Sequence, residues 1–214
     1  MIFIVNRKTK PENIQKKYQN ALILDITSKS PYTGLRMLSP FFPHGNIPVP
    51  GMPGVTASCV EAIWQGLKVF ESCGVDYSLF NNDTMENLKR TVRKYGRPLG
   101  HLYGDKLLNY SDARMLIYLP TYKYVLDNIP SVQETLTKIK NKSECQNIVL
   151  LDYNTNKDVF DFSRPLSHAA LVKLYIEDKY PSFESYQRWK LNQSNICDNN
   201  QDNTDNENIQ LELF

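Results

Sequence analysis

Residues 38–70 read LSPFFPHGNIPVPGMPGVTASCVEAIWQGLKVF and join a loop rich in proline and aromatic residues to a helix. Ser58 followed by Glu61 has the form of a capping box, in which the hydroxyl and the carboxylate satisfy backbone N–H groups that the first helical turn leaves open. Val60, Ile63, Trp64, Leu67 and Phe70 recur at helical spacing as one apolar stripe. Glu61, Gln65 and Lys68 fall at i, i+4 and i+7 and line one flank of the same helix. A polar row beside a buried stripe, opened by Phe41, Phe42 and Pro43, is a common way to build a pocket wall. A capping-box glutamate needs no catalytic task, so the pattern alone leaves capping and catalysis both open for Glu61.

Outward from this segment the chain reads as a helix-rich α+β protein. Residues 2–5 (IFIV) and 22–26 (LILDI) are short β-rich runs, and 148–152 (IVLLD) is a buried strand. Residues 83–95 are predicted helical, opened by Asp83 and Glu86 as a second box. Residues 110–128 keep helical period, with Pro120 predicting a kink or break at Leu119. Further helices are expected over 132–140, 167–178 and 182–193. With 214 residues and 41% hydrophobic content the chain can bury one sizeable core, so a single folded domain over 1–193 is expected.

Several function classes lack their sequence signals. No long apolar run or signal peptide is present, so a soluble cytoplasmic protein with no membrane partner is expected. Cys59, Cys73, Cys145 and Cys197 are too scattered for paired metal ligation and read as reduced thiols. No phosphate-binding loop, dinucleotide fingerprint or zinc-protease motif occurs, and neither metal nor cofactor is expected. His44, His101 and His168 are isolated. His44 lies in the aromatic loop, placed to touch a ligand; His101, near Arg97 and Tyr103, is placed to face phosphate; His168 follows Ser167 and reads as structural.

LSPFFP at 38–43 and SCVEAIWQGLK at 58–68 together resemble the NADAR family, whose members carry a loop of the form L/F-S-N-F-Y/F-P and then a helix with Glu-His, an aromatic, Gln and Lys. Pro40 stands in place of that family's Asn and Ala62 in place of its His, and both departures remove polar groups. IVLLDYNTNKDVFD is similar to the family's late strand and loop, with Asp158 in place of its Asp. Tyr103 and Arg114 fall where its Trp-containing middle element would lie. The resemblance spans about residues 35–165. It implies ADP-ribose or a related ribosyl compound as ligand, and cleavage of a ribosyl N-glycosidic bond with Glu61 and Asp158 as the carboxylate pair. Such cleavage passes through an oxocarbenium-like state that a carboxylate stabilises. At a helix start Glu61 is expected to stay ionised, as base or charge stabiliser. Ser39, Phe41, Phe42, His44, Trp64, Gln65 and Lys68 would bind substrate alongside Tyr103 and Arg114, with Lys68 holding a phosphate or keeping a neighbouring acid charged.

After Gln193 the composition changes. Residues 194–209 are rich in Asn and Asp, have little to bury, and are expected to be a disordered acidic linker. Gln210, Leu211, Leu213 and Phe214 then form QLxLF, which resembles the peptide that docks bacterial proteins on the replicative sliding clamp. A polar tether would present it without strain; the alternative is an apolar end that folds back on the body. The whole chain carries +2, and since the segment from Ser194 holds five acidic and no basic side chains, the body carries +7. Lys89, Arg90, Arg93, Lys94 and Arg97 crowd nine residues, as a nucleic-acid contact or as a solvated helix face. Together these features lead to an N-glycosidase that removes ADP-ribose from a DNA base, plausibly in conflict between phage and host. The alternatives are cleavage of a free ribosylated metabolite and a non-catalytic ADP-ribose or nucleotide binder recruited to the replisome.

Overall fold

In a computed structural model, residues 1–192 are described, so the expectations for the linker after Gln193 and for Gln210, Leu211, Leu213 and Phe214 lie outside them. The body, Met1–Tyr180, is one unit of mixed α and β structure. In chain order β1 (Ile2–Asn6), α1 (Pro11–Lys17) and β2 (Leu22–Asp25) precede a single turn α2 (Thr33–Arg36) and the hairpin strands β3 (Ile47–Pro48) and β4 (Thr56–Ala57). Then come α3 (Val60–Gly66), β5 (Lys68–Phe70), a 3-10 turn at Tyr77–Asn81, a single turn α4 (Val92–Tyr95), β6 (Pro98–Tyr103) and β7 (Lys106–Leu108). A helical run follows as α5 (Tyr110–Ala113), a π-helical segment Arg114–Tyr118 and α6 (Leu119–Asn128), and the body closes with α7 (Pro130–Cys145), β8 (Ile148–Asp152) and α8 (His168–Ile176). From Pro181 a second unit begins, in which residues 183–192 are helical.

The apolar run of β8 is central because it has a strand on each side. β1 and β2 both pair with it in parallel, Ile2 and Leu22 each opposite Ile148. Alternation then sorts the side chains. Phe3, Val5, Ile23, Val149 and Leu151 pack against Ile14 of α1 and Tyr18 just after it, while α7 and α8 cover the other face, where Ile2, Ile4, Ile148 and Leu150 are buried. Helix α1 was not legible in the sequence, since Ile14 is its sole buried residue and no apolar stripe announces it. A separate antiparallel sheet, β5-β6-β7, carries Lys68 opposite His101.

Two local expectations are corrected. The N-cap of α3 is Cys59, whose Sγ accepts from the Ala62 N–H at 3.3 Å; the Ser58 hydroxyl instead donates to the Asn82 carbonyl, so no capping box forms. The helix expected over 83–95 shrinks to α4. Asn82 accepts from the N–H and hydroxyl of Thr84 at 3.0 and 2.9 Å and donates to the Glu86 carbonyl at 2.9 Å, and these bonds compete with helical ones. Met85 and Asn87 consequently sit at φ +62° and +56°. At Pro120 the helix does not break: helical residues run without interruption from Tyr110 to Asn128. The irregularity expected there lies in the turn just before it, where Arg114–Tyr118 is π-helical and the Leu119 N–H donates to the Arg114 carbonyl five residues back. Tyr122 of α6, fully buried, donates to the Leu38 carbonyl at 2.6 Å and so fixes the loop that starts at Ser39. Among the described residues no helix is long and apolar enough to cross a membrane.

The β6–β7 hairpin is so close at Gly100 that an added Cβ would lie 2.3 Å from the Leu108 carbonyl oxygen. Gly100→Ala is expected to cost about 1–3 kcal/mol in urea unfolding. Gly34→Ala, whose Cβ would meet only Thr135 Oγ1 at 3.5 Å, should stay within about 0.5 kcal/mol of wild type. An unchanged midpoint for Gly100→Ala would contradict the close strand approach.

Candidate active site

A cavity of about 450 Å³ opens where the carboxyl ends of β2 and β8 meet the Ser39–Phe41 loop, α3 and the helical run from Tyr110 to Tyr118. Crevices beyond the carboxyl ends of parallel strands are where such sheets bind ligands, because connecting loops diverge there. Thr27 and Ser28 follow β2; Asp152 ends β8 and Tyr153 and Asn154 continue it; all five line the cavity.

Glu61 reaches the cavity from the first turn of α3, whose start is tied to the loop by the bond from the Glu61 N–H to the Pro40 carbonyl at 2.9 Å. Its carboxylate is buried with an amide for partner. Gln65 Nε2 donates to Glu61 Oε1 at 2.8 Å, and the amide cannot turn over because its oxygen already accepts from Lys68 Nζ at 2.9 Å and from the Arg90 N–H at 3.1 Å. Desolvation therefore dominates and raises the Glu61 pKa above the usual carboxylate value, against the pull of Gln65, Lys68 and Lys89. Burial thus works against the ionised form that a helix start alone would favour. Burial likewise lowers the Lys68 pKa. Lys68 also leaves the helix: α3 stops at Gly66 and Lys68 opens β5, yet Glu61, Gln65 and Lys68 still form one hydrogen-bonded row.

The second acid in the cavity is Asp152, and its state is opposite. Oδ2 accepts from the Ser167 hydroxyl at 2.7 Å, from His168 Nδ1 at 2.9 Å and from the Ala169 N–H at 3.3 Å. His168 Nε2 faces the Ile26 carbonyl at 3.0 Å, so both ring nitrogens meet acceptors, an arrangement that favours the cation. Although burial opposes it, the His168 charge and these donors bring the Asp152 pKa down to about 2, and Asp152 raises that of His168. One cavity thus contains a carboxyl biased toward its proton and another held without one.

Aromatic rings make the remaining wall. Trp64 lies 3.8 Å from the His101 ring by centroids and edge-on to Tyr110 and Tyr118 at 5.8 and 5.6 Å. His101 does not face phosphate: it is buried behind Trp64, neither ring nitrogen has a partner, and burial drops its pKa to about 3, so it is neutral.

The structure brings Ser39, Phe41, Glu61, Trp64, Gln65, Lys68 and Arg114 to this cavity, as the sequence suggested. The Arg114 guanidinium is spent, however, on the carbonyls of Val159, Asp161 and Arg164 at 2.9, 2.8 and 2.7 Å, and it holds the loop after β8 rather than a substrate. Asp158 does not line the cavity. It is exposed, and its carboxylate accepts from the Phe160 N–H at 2.9 Å; Asp152 occupies the place expected for it. His44 binds the Met37 carbonyl through Nε2, Tyr103 ends β6 away from the cavity, and Phe42 lies on a neighbouring cavity. Among the basic run, Arg90 is a buried strut. It donates to the carbonyls of Gln65, Lys68 and Gly74 and lies 4.7 Å over the Phe70 ring, so it cannot contact nucleic acid. Lys89, Arg93, Lys94 and Arg97 are exposed, and Lys89 lines the cavity. Asp152, His168, Tyr110 and Tyr118 were missed. An Asp closing an all-apolar strand, beyond which a parallel sheet opens, was the available signal.

The model of a family of unknown function, DUF6939, matches residues 6–172, a span that contains every residue lining this cavity. No curated protein matches the chain.

The Asp152–His168 pair has a stability signature. Because the Asp152 pKa is depressed, its contribution is present above the ordinary Asp range and lost as pH falls toward 2; because that of His168 is raised, its contribution is complete below about pH 6.5 and lost as pH rises through the raised value. Asp152→Asn is expected to cost about 3–5 kcal/mol at pH 6 by urea unfolding. It should also remove the wild-type decline that sets in as pH rises above about 6.5. An Asp152→Asn protein with unchanged stability and the same decline would show that the pair is not formed.

Proposed function

We propose that this chain, which belongs to the DUF6939 family, is an N-glycosidase that hydrolyses a ribosyl C–N bond, with Glu61 as proton donor and Asp152 as fixed negative charge. What carries the reading is the pair of carboxyls in one cavity whose surroundings push their pKa values apart, Glu61 upward and Asp152 downward, the arrangement that separates an acid from a charge stabiliser. As the C1′–N bond breaks, its electron pair goes to the leaving nitrogen, which takes the Glu61 proton. Positive charge on the ribosyl carbon faces the Asp152 carboxylate, whose pKa near 2 keeps it ionised and makes it a poor base. Water then adds to C1′, and its proton returns to Glu61. Phe41, Trp64, Tyr110 and Tyr118 offer ring faces and edges to a sugar or base. The volume of about 450 Å³ suits a nucleotide-sized group.

The finer reading makes the substrate ADP-ribose attached to a DNA base and the setting the cytoplasm. Its supports are the likeness of LSPFFP and SCVEAIWQGLK to NADAR proteins, the exposed cations Lys89, Arg93, Lys94 and Arg97, and the clamp-like QLELF at 210–214. A clamp-docked enzyme gains effective concentration at DNA.

Incubation of the purified protein with ADP-ribosylated DNA should release free ADP-ribose. Glu61→Gln should slow that release by about 10²–10⁴-fold while still binding substrate. Since Glu61 must carry its proton, the rate should fall as pH rises above its raised pKa. Gln65→Leu, which removes the bond that lowers this pKa, should move the falling limb to higher pH. Binding without release in wild type would make the protein a reader of ADP-ribose, and full activity in Glu61→Gln would sink the assignment. Truncation after Gln193 should reduce action on replicating DNA and leave cleavage of small ribosyl compounds unchanged.

A further inference from the structure

A second cavity, of about 540 Å³, adjoins the first, and the two share Ser28, Phe41, Lys89 and Tyr153. It continues the first rather than standing apart. Its walls combine the rings of Phe41, Phe42 and Tyr153 with the carboxylates Asp83 and Glu86. The loop that supplies those acids is preformed by the Asn82 side-chain bonds and the left-handed backbone at Met85. Arg36 is occupied by the Ser30 carbonyl and the Thr33 hydroxyl at 3.2 and 3.3 Å. Lys89 differs. It is exposed at the junction, its Nζ lies 5.4 Å over the Phe41 ring, and no described carboxylate forms an ion pair with it.

The geometry points to a two-part ligand: a ribosyl group in the first cavity, joined by a phosphate-bearing linker that passes Lys89 to a nucleoside in the second. The inference rests on the ribosyl reading of the first cavity. Ring faces at Phe42 and Tyr153 take a base, carboxylates at Asp83 and Glu86 accept from sugar hydroxyls or an exocyclic amine, and the ammonium between the cavities meets the anionic linker. A consequence follows for the acid. The Lys89 charge disfavours the protonated form of Glu61, and a phosphate that neutralises Lys89 removes that opposition, so the full ligand readies the proton donor in a way that its ribosyl half alone does not.

Binding to the full chain can be measured by calorimetry with ADP-ribose, AMP and ribose 5-phosphate as probes. ADP-ribose should bind at least about tenfold tighter than either half. Lys89→Gln should remove most of that advantage, whereas Arg93→Gln, at an exposed position on neither cavity, should leave it. Glu86→Trp, which fills the second cavity, should bring ADP-ribose down to the affinity of ribose 5-phosphate and leave ribose 5-phosphate unaffected. The inference is overturned if no probe binds, if ADP-ribose binds no tighter than ribose 5-phosphate, or if its advantage survives both Lys89→Gln and Glu86→Trp. Because binding is read rather than turnover, the two readings fail separately. A protein that binds ADP-ribose through both cavities but cleaves nothing overturns the glycosidase and supports the second cavity; one that releases ADP-ribose from DNA with Glu86→Trp indifferent does the reverse.

Discussion

Glu61 is buried with a neutral amide, rather than a cation, as its hydrogen-bond partner. A carboxyl removed from water without a cation in contact keeps a desolvation cost that Gln65 and the charges of Lys68 and Lys89 offset only in part, and its pKa rises. The rest of the site follows from this constraint. The orientation of Gln65 matters because its oxygen is already committed to Lys68 and to the Arg90 backbone, which compels its nitrogen toward Glu61. The Arg90 side chain then locks the turn from α3 to β5 by taking the Gln65 and Lys68 carbonyls. A basic residue that reads as a surface cation is thus part of the frame that sets an acid's protonation.

Asp152 reaches the same cavity by an unrelated route. It stands at the end of the middle strand of a parallel sheet, and α8 begins where Ser167, His168 and Ala169 can all donate to it. The loop between β8 and α8 is held by Arg114, whose guanidinium meets three carbonyls and stacks on Tyr110 and Phe162. Two segments far apart in sequence, 58–68 and 152–168, are therefore each rigid before they face one another. Preorganisation of this kind is what gives fixed charges their catalytic value.

The parts of the fold and site that were legible in the sequence share a property: their evidence is local. The strands at β1, β2 and β8, the helices α7 and α8, and the Glu61–Gln65 pair follow from spacing and apolar pattern, whereas Lys68 joins that pair from β5 rather than from the helix. The misses have a different origin. The capping box at Ser58 and the helix over 83–95 failed because Ser58 and Asn82 spend their polar groups on other partners, a choice made by tertiary contacts and side-chain turns. Asp158 was preferred to Asp152 because a motif ranks residues by position, whereas the structure ranks them by which end of a strand opens into a crevice. Arg114 and Arg90 were taken for ligand contacts since nothing in a sequence distinguishes a guanidinium facing solvent from one facing backbone carbonyls.

The central claim is that one cavity holds two carboxyl groups whose pKa values are pushed in opposite directions, and an NMR-detected titration of the Glu61 and Asp152 side-chain carboxyl carbons in the native protein tests it directly. Glu61 should titrate above the ordinary glutamate value and Asp152 near 2. If both titrate together in the ordinary carboxylate range, or if Asp152 proves the higher of the two, the division of labour between acid and charge stabiliser is wrong.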